Sequence, residues 1–502
     1  MKAIMVMYDS LRRDLMSVNG GPVPTPNFER LAAHSVQFDK CYVGSLPCMP
    51  ARRELHTGRL NFLHRSWGPV EPFDDSMPEI LKKNGIHSHL ATDHYHYIQD
   101  GGATYHGRYS TWECFRGQES DAWVGDLTPH GDNFAPNQYS PDSASGFMKA
   151  NRRRVGWQNM SNRERIRSEN DYPMHKTFDD GLDFIERNSG YDNWFLQLET
   201  FDPHEPFTSP ESFMAGFLSP DDYDSPDWPQ YAPVNESSKE IETLRNKYFA
   251  LMSYCDYQLG RVLDKMDELD LWKDTLLVVN TDHGFFLGEH EWWGKGSMPD
   301  YEELVHTPLF IWDPRYGVKG ERRNALVQSI DLAPTILEFF DLDRPADMLG
   351  RPLADVIKED APVRSHVIFG YHGGPVGITD GSHVLLRAAA DQSVKCYEYT
   401  LMPTHMNSMF TVDELKNASL SPGFSFTKET PVLKIESPAG GRFAKKQAEH
   451  ADLMFDLNAD PGELSPIDDP VKKEELLKAM KELFDENDAP EEVYERYGAD
   501  RN

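Results

Sequence analysis

Four short apolar runs constrain this chain more than anything else in it. Lys2–Tyr8, Trp194–Leu198, Leu276–Asn280 and Leu309–Trp312 each have the length and composition of a buried strand. Between two of them, residues 244–271 set Leu251, Tyr254, Cys255, Leu259, Val262, Leu263, Met266 and Leu269 at helical spacing. That spacing predicts a long amphipathic helix. Strands separated by helices predict an α/β fold, with a large, mostly parallel mixed sheet sandwiched by helices. The last third differs. Val376–Thr379 and Ser382–Leu386 flank Asp380-Gly381, which signals a hairpin, and helical pattern returns over 470–485. The expected division is residues 1–370 as the main unit and 371–502 as a smaller α+β C-terminal subdomain with an antiparallel sheet and a helix. The Asp- and Pro-rich stretch 219–234 reads as a surface loop.

The formal net charge is −31. A field of that sign repels nucleic acid and anionic lipid, so neither is an expected partner. No run reaches the roughly 18 apolar residues of a membrane span. The first residues, Met1-Lys2-Ala3-Ile4-Met5-Val6-Met7, carry too short an apolar stretch for a secretion signal. Five cysteines with no CxxC pair are neither a disulfide framework nor a structural zinc site. These features set the expectation of a cytoplasmic protein.

Chemistry gathers around Cys48-Met49-Pro50-Ala51-Arg52 and Leu55-His56-Thr57-Gly58-Arg59. Pro50 suits the first turn of a helix and Gly58 its end. Cys48 therefore belongs at a helix N-terminus, where backbone N–H groups favour an anion. Arg52 lies one turn on and shares a face with Cys48. Nucleophile, guanidinium and helix N-terminus converge on a pocket for a tetrahedral oxyanion. A cysteine-phosphatase loop would need its arginine at position 54, which is Glu54. Asp9 follows the first strand and Asp282-His283-Gly284 follows Leu276–Asn280. Loops at strand carboxyl ends converge in α/β sheets, so these residues can meet.

Cys-x-Pro-x-Arg followed by Thr-Gly-Arg resembles the signature of the type I sulfatases, in the alkaline phosphatase superfamily. The resemblance implies an alkaline phosphatase-like fold and a catalytic domain over 1–370. It implies that Cys48 is oxidised after translation to formylglycine by a maturation enzyme. The hydrate attacks the sulfur of a sulfate monoester, and the sulfated hemiacetal collapses to release sulfate. A second hydroxyl on one carbon supplies this internal exit. The implied metal ligands are Asp9, Asp282, His283 and the modified Cys48, around one divalent ion. Hard oxygen donors favour Ca²⁺, with Mg²⁺ or Mn²⁺ as alternatives.

Two further motifs extend the resemblance. Asp202-Pro203-His204-Glu205-Pro206-Phe207 and Gly288-Glu289-His290-Glu291-Trp292-Trp293-Gly294-Lys295 are similar to family runs that place His204 and Lys295 against the sulfate and the leaving oxygen. Where the family has Gly-Lys-Trp-His, this chain has Thr92-Asp93-His94-Tyr95-His96. His94 or His96 then replaces the missing lysine, and in a strand the two would share one face. Arg116 and Tyr105 are candidates to contact the rest of the substrate. The tail element Leu453–Glu463 is also similar to the family's. Two positions depart from the pattern: Ser10 replaces a second acid, and His283 replaces an asparagine. Phosphonate- and phosphodiester-cleaving relatives carry that histidine, so hydrolysis of those esters at the same site is the first alternative. A non-catalytic metal- or anion-binding relic, with Cys48 unmodified, is the second. The expected substrate is a small organic sulfate, and the C-terminal region leaves room for contact between copies of the chain.

Overall fold

The structure is a computed structural model that describes residues 1–128, 146–437 and 451–499. Eight strands form the main sheet: β1 (Lys2–Tyr8), β2 (Val36–Phe38), β3 (His87–Thr92), β4 (Thr111–Cys114), β5 (Trp194–Glu199), β6 (Thr275–Thr281), β7 (Leu309–Trp312) and β8 (Glu321–Arg323). Their order is β8-β2-β7-β6-β1-β5-β3-β4. β7 alone runs antiparallel to its neighbours β6 and β2, and the other pairings are parallel. The sheet is thus mixed and mostly parallel, as the alternation of runs predicts.

Both faces of the sheet are buried, which explains why its strands read as continuous apolar runs. Ile4, Val6, Leu196, Leu198, Leu277 and Val279 point into one core. Ala3, Met5, Met7, Phe195, Leu276 and Val278 point into the other. Helix α1 (Cys48–Thr57) adjoins the sheet's carboxyl edge, and helix α2 (Ser238–Glu268) packs Leu251, Leu259, Val262 and Met266 onto the first core. α2 begins six residues before the periodic pattern because Ser237 and Glu240 form a capping box there. No helix among the described residues is long and apolar enough to cross a membrane.

A second, five-stranded sheet runs in the order Leu453–Asp456, His383–Arg387, Val376–Thr379, Val367–Tyr371 and Ser45–Leu46. The expected hairpin is present: Thr379 pairs with Val384 around Gly381, whose φ of 78° is natural to glycine. The last strand, Ser45–Leu46, comes from the N-terminal part of the chain and leads directly into α1. It pairs in parallel with Gly370 and Tyr371. This sheet therefore spans residue 370 and grips the entry to α1. A three-stranded sheet of Cys396–Thr400, Val432–Ser437 and Ser419–Ser421 was not legible in the apolar pattern.

Glu54, on α1, fastens the helix to this second sheet. Its fully buried carboxyl group accepts hydrogen bonds from the Ser45 N–H and from the Ser329 hydroxyl, the latter at 2.7 Å. Truncation would leave both buried donors without an acceptor. Glu54→Ala is expected to lower the free energy of unfolding by about 1–3 kcal/mol, read from the midpoint of chemical denaturation.

Candidate active site

Parallel register puts four strand ends in one row. Tyr8 of β1 lies beside Thr281 of β6, Met7 beside Glu199 of β5, and Glu199 beside Thr92 of β3. The residues at or just beyond these ends are Asp9, Asp282, Glu199 and Asp93-His94. α1 starts above the row with Cys48 as its first residue and ends at Gly58 in the left-handed region, as its flanking Pro and Gly predict.

The structure brings Asp9, Cys48, Arg52, His94, Asp282, His283 and Lys295 together, all at most 3% exposed. Arg52 is the hub. Its Nε donates to Glu199 Oε1 at 2.6 Å, and its Nη1 donates to Asp282 Oδ2 at 2.6 Å and to the Cys48 carbonyl at 3.0 Å. Its Nη2 lies 3.2 Å from Asp9 Oδ2. Lys295 Nζ stands 3.2 Å from Cys48 Sγ and 3.2 Å from Ser10 Oγ. His94 Nε2 reaches Asp9 Oδ2 at 3.3 Å.

One donor atom each from Asp9, Cys48, Asp282 and His283 lies within 4.8 Å of all the others. Two observations suit this group to a cation. His283 Nδ1 donates to the Gly284 carbonyl at 2.8 Å, which leaves the Nε2 lone pair facing Cys48 Sγ at 3.3 Å. Asp9 Oδ2 is buried without a hydrogen bond. Electrostatics agree. Burial opposes its charge, but Lys295, His204 and Arg52 hold Asp9 well below the usual carboxylate range. Burial and the charge on Asp9 push Asp282 up to about 7. Burial and Lys295 hold His283 down at about 3, so its imidazole is neutral and able to ligate. Burial and Asp9 push the Cys48 thiol well above its ordinary value, so the unmodified side chain is a protonated, weak nucleophile.

His204 is buried beside this centre, close enough to interact with Lys295, Asp9 and His283. Burial and Lys295 keep its imidazole well below the usual range. Its Nδ1 contacts the Glu205 carbonyl at 2.6 Å. His96 sits next to His94, with ring centroids 5.1 Å apart, and its Nδ1 bonds Gln99 at 2.7 Å. The expectation of one strand face for this pair is corrected: β3 ends at Thr92, and His96 lies in a short helical turn, Tyr95–Ile98.

The two residues expected to contact the rest of the substrate have partners within the protein. The Tyr105 ring is fully buried, and its hydroxyl donates to the carbonyls of Gly68 at 3.0 Å and Met49 at 3.4 Å. It braces α1 from inside the core. Arg116 is clamped by Asp121 through Nε at 2.7 Å and Nη2 at 2.5 Å.

Sequence reasoning missed several residues that the structure places at or around the centre. Glu199 ends β5 and takes Arg52; the acid at the end of a third apolar run was a usable signal. Gln118 Nε2 donates to Asp93 at 2.7 Å and to Asp202 at 3.1 Å, tying the loop of His94 to the loop of His204. Glu205 also lies there, its carboxyl pushed by burial up to about 8.

The fold gives the class first. It matches that of a protein solved in complex with its substrate D-glucosamine-2-N,6-O-disulfate, with TM-score 0.65 and 16% identity over 98% of each chain. It also matches the phosphonate monoester hydrolase of Agrobacterium radiobacter, with TM-score 0.63 and 17% identity over 96% of this chain and 95% of that one. The shared architecture is the alkaline phosphatase-like fold. Within it, the chain belongs to the sulfatase family, whose model matches residues 2–342. A model for the C-terminal part of N-sulphoglucosamine sulphohydrolase matches residues 288–409. An arylsulfatase of Clostridium perfringens is 24% identical over 408 residues, covering 74% of this chain and 81% of that protein.

Removing Arg52 would leave Glu199, Asp282 and Asp9 as buried carboxylates without their cation. Arg52→Met is expected to destabilise the fold by about 3–5 kcal/mol, measured by denaturant titration.

Proposed function

We propose that this site hydrolyses the sulfate monoester of a small organic alcohol to alcohol and inorganic sulfate, with Cys48 matured to formylglycine and one divalent metal, Ca²⁺ by preference. The observation that carries the reading is the meeting of Cys48 with three metal-type donors within 4.8 Å and with the Lys295 ammonium at 3.2 Å. Asp9, Asp282, His283 and the matured Cys48 would hold the metal, which when bound draws charge from the ester oxygens. Two carboxylates and an oxygen on residue 48 are hard donors that suit Ca²⁺, while the imidazole also admits Mn²⁺. The aldehyde hydrate would supply a hydroxyl nucleophile and a second hydroxyl for release.

The remaining roles fall to the chain's own side chains. Lys295 sets its ammonium against the sulfate oxygens in a water-poor site, where each interaction is stronger. Burial opposes its charge, and the Asp9 carboxylate at 3.7 Å supports it. Arg52 fixes Asp9 and Asp282 and holds the first turn of α1 through the Cys48 carbonyl. His204 gives a proton to the leaving oxygen. Cys48 is 3% exposed, so a maturation enzyme would need this segment before folding closes over it.

A second reading keeps the same residues and cleaves phosphonate monoesters. The observations that favour it are Ser10 and His283 at their two positions, with Ser10 Oγ donating to Asp9 Oδ1 at 2.7 Å. Steady-state rates on 4-nitrophenyl sulfate and a phenylphosphonate monoester separate the two. The matured enzyme is expected to prefer the sulfate; a clear preference for the phosphonate overturns the sulfate reading. On the preferred ester, Lys295→Ala should lower kcat about 10²–10³-fold. Chelation should abolish turnover and added Ca²⁺ restore it.

A further inference from the structure

Resting on the sulfate-ester reading, we propose that Glu205 is the positioning residue for His204, holding the imidazole so that Nε2 delivers its proton to the leaving alcohol oxygen. His204 Nδ1 lies 2.6 Å from the Glu205 backbone carbonyl and 3.2 Å from Glu205 Oε2. One residue thus grips the same ring nitrogen through main chain and side chain. A carbonyl can only accept, so Nδ1 carries the hydrogen and Nε2 is the nitrogen left for the substrate. The Glu205 carboxyl is itself fixed. It is 2% exposed, Tyr231 donates its phenol to Oε1, and Oε2 has no hydrogen bond of regular geometry. A buried carboxyl oxygen aimed at an imidazole N–H suits it to the moment when that ring becomes charged. Phe201 packs against the ring, its centroid 4.3 Å from that of His204, and its N–H is held by Asp93 at 2.7 Å.

The step balances simply. His204 takes up a proton from the bulk buffer acid, whose conjugate base stays in solution, as the anionic ester enters. As one hydroxyl oxygen of the hydrate on residue 48 gives up its proton to solvent and bonds to sulfur, the bond between sulfur and the alcohol oxygen breaks and its electron pair goes to the alcohol oxygen. That oxygen takes the Nε2 proton, and the ring returns to neutral with its Nδ1 hydrogen still on Glu205. Without the Glu205 carboxyl the ring keeps its main-chain hydrogen bond but loses the side-chain acid that supports its charged form, and proton delivery to a poor leaving group slows.

Leaving groups that differ in their need for a proton test this. With the matured holoenzyme, kcat/KM is measured on phenyl sulfate, a poor leaving group, and on 4-nitrophenyl sulfate, a good one. Glu205→Gln is expected to lose about 10²-fold on phenyl sulfate, and this loss should exceed that on 4-nitrophenyl sulfate by about tenfold. Tyr231→Phe, which removes only the phenol that steadies Glu205, should show a smaller split of the same sign and carries the test if Glu205→Gln does not fold. Equal losses on both esters, or no loss on either, overturn the positioning role while leaving the sulfate-ester reading intact. A wild-type enzyme inert towards both esters overturns that reading and the proposal with it.

Discussion

The buried guanidinium of Arg52 is the interaction on which the rest of the site depends. Four strands of a parallel arrangement end in one row, and three of them deliver a carboxylate to Arg52: Asp9, Glu199 and Asp282. Gathering such groups away from water is strongly unfavourable unless their charge is matched and their lone pairs are filled. Arg52 matches charge for all three, with contacts of 2.6 to 3.2 Å, and hydrogen-bonds Glu199 and Asp282. It also holds the Cys48 carbonyl, so the same side chain that makes the carboxylate row tolerable aligns the nucleophile's helix over it. The remaining excess of negative charge between Asp9 and Asp282 is what a divalent cation would neutralise.

The second sheet contributes at the entry and the middle of α1. Two residues, Ser45 and Leu46, pair with the strand at Gly370 and Tyr371 and pass straight into Cys48. Glu54 ties the middle of the helix back to the same strand. The C-terminal third of the chain is therefore part of what positions the nucleophile. A rigid first turn matters because a displacement of about 1 Å can cost 10²-fold in rate.

Much of this was legible in the amino-acid sequence, for definite reasons. Lys2–Tyr8 and Leu309–Trp312 were read with the ends they have, because strands buried on both faces leave uninterrupted apolar runs. The bounds of α1 were legible because Pro50 and Gly58 mark its start and end through backbone geometry. Asp9, Asp282 and His283 were legible as residues following such strands. Other features depend on contacts far apart in sequence. Nothing in Leu309–Trp312 says that it runs antiparallel. Ser45–Leu46 is too short for a period. Tyr105 looks like any polar-tipped aromatic until its hydroxyl is seen on the Gly68 and Met49 carbonyls. Glu205 and Gln118 act through partners that only the folded chain supplies. The His94 and His96 error has a simpler origin: β3 stops at Thr92, and two residues later alternation no longer applies.

The central claim is that the residue placed on the Arg52 platform reacts as an oxidised cysteine. The mass of the tryptic peptide Cys41–Arg52 tests it most directly, using protein made in a host with the maturation machinery and shown to turn over a sulfate ester. A thiol-to-aldehyde mass decrease at Cys48 is the result the account predicts. An intact thiol in fully active protein would contradict it.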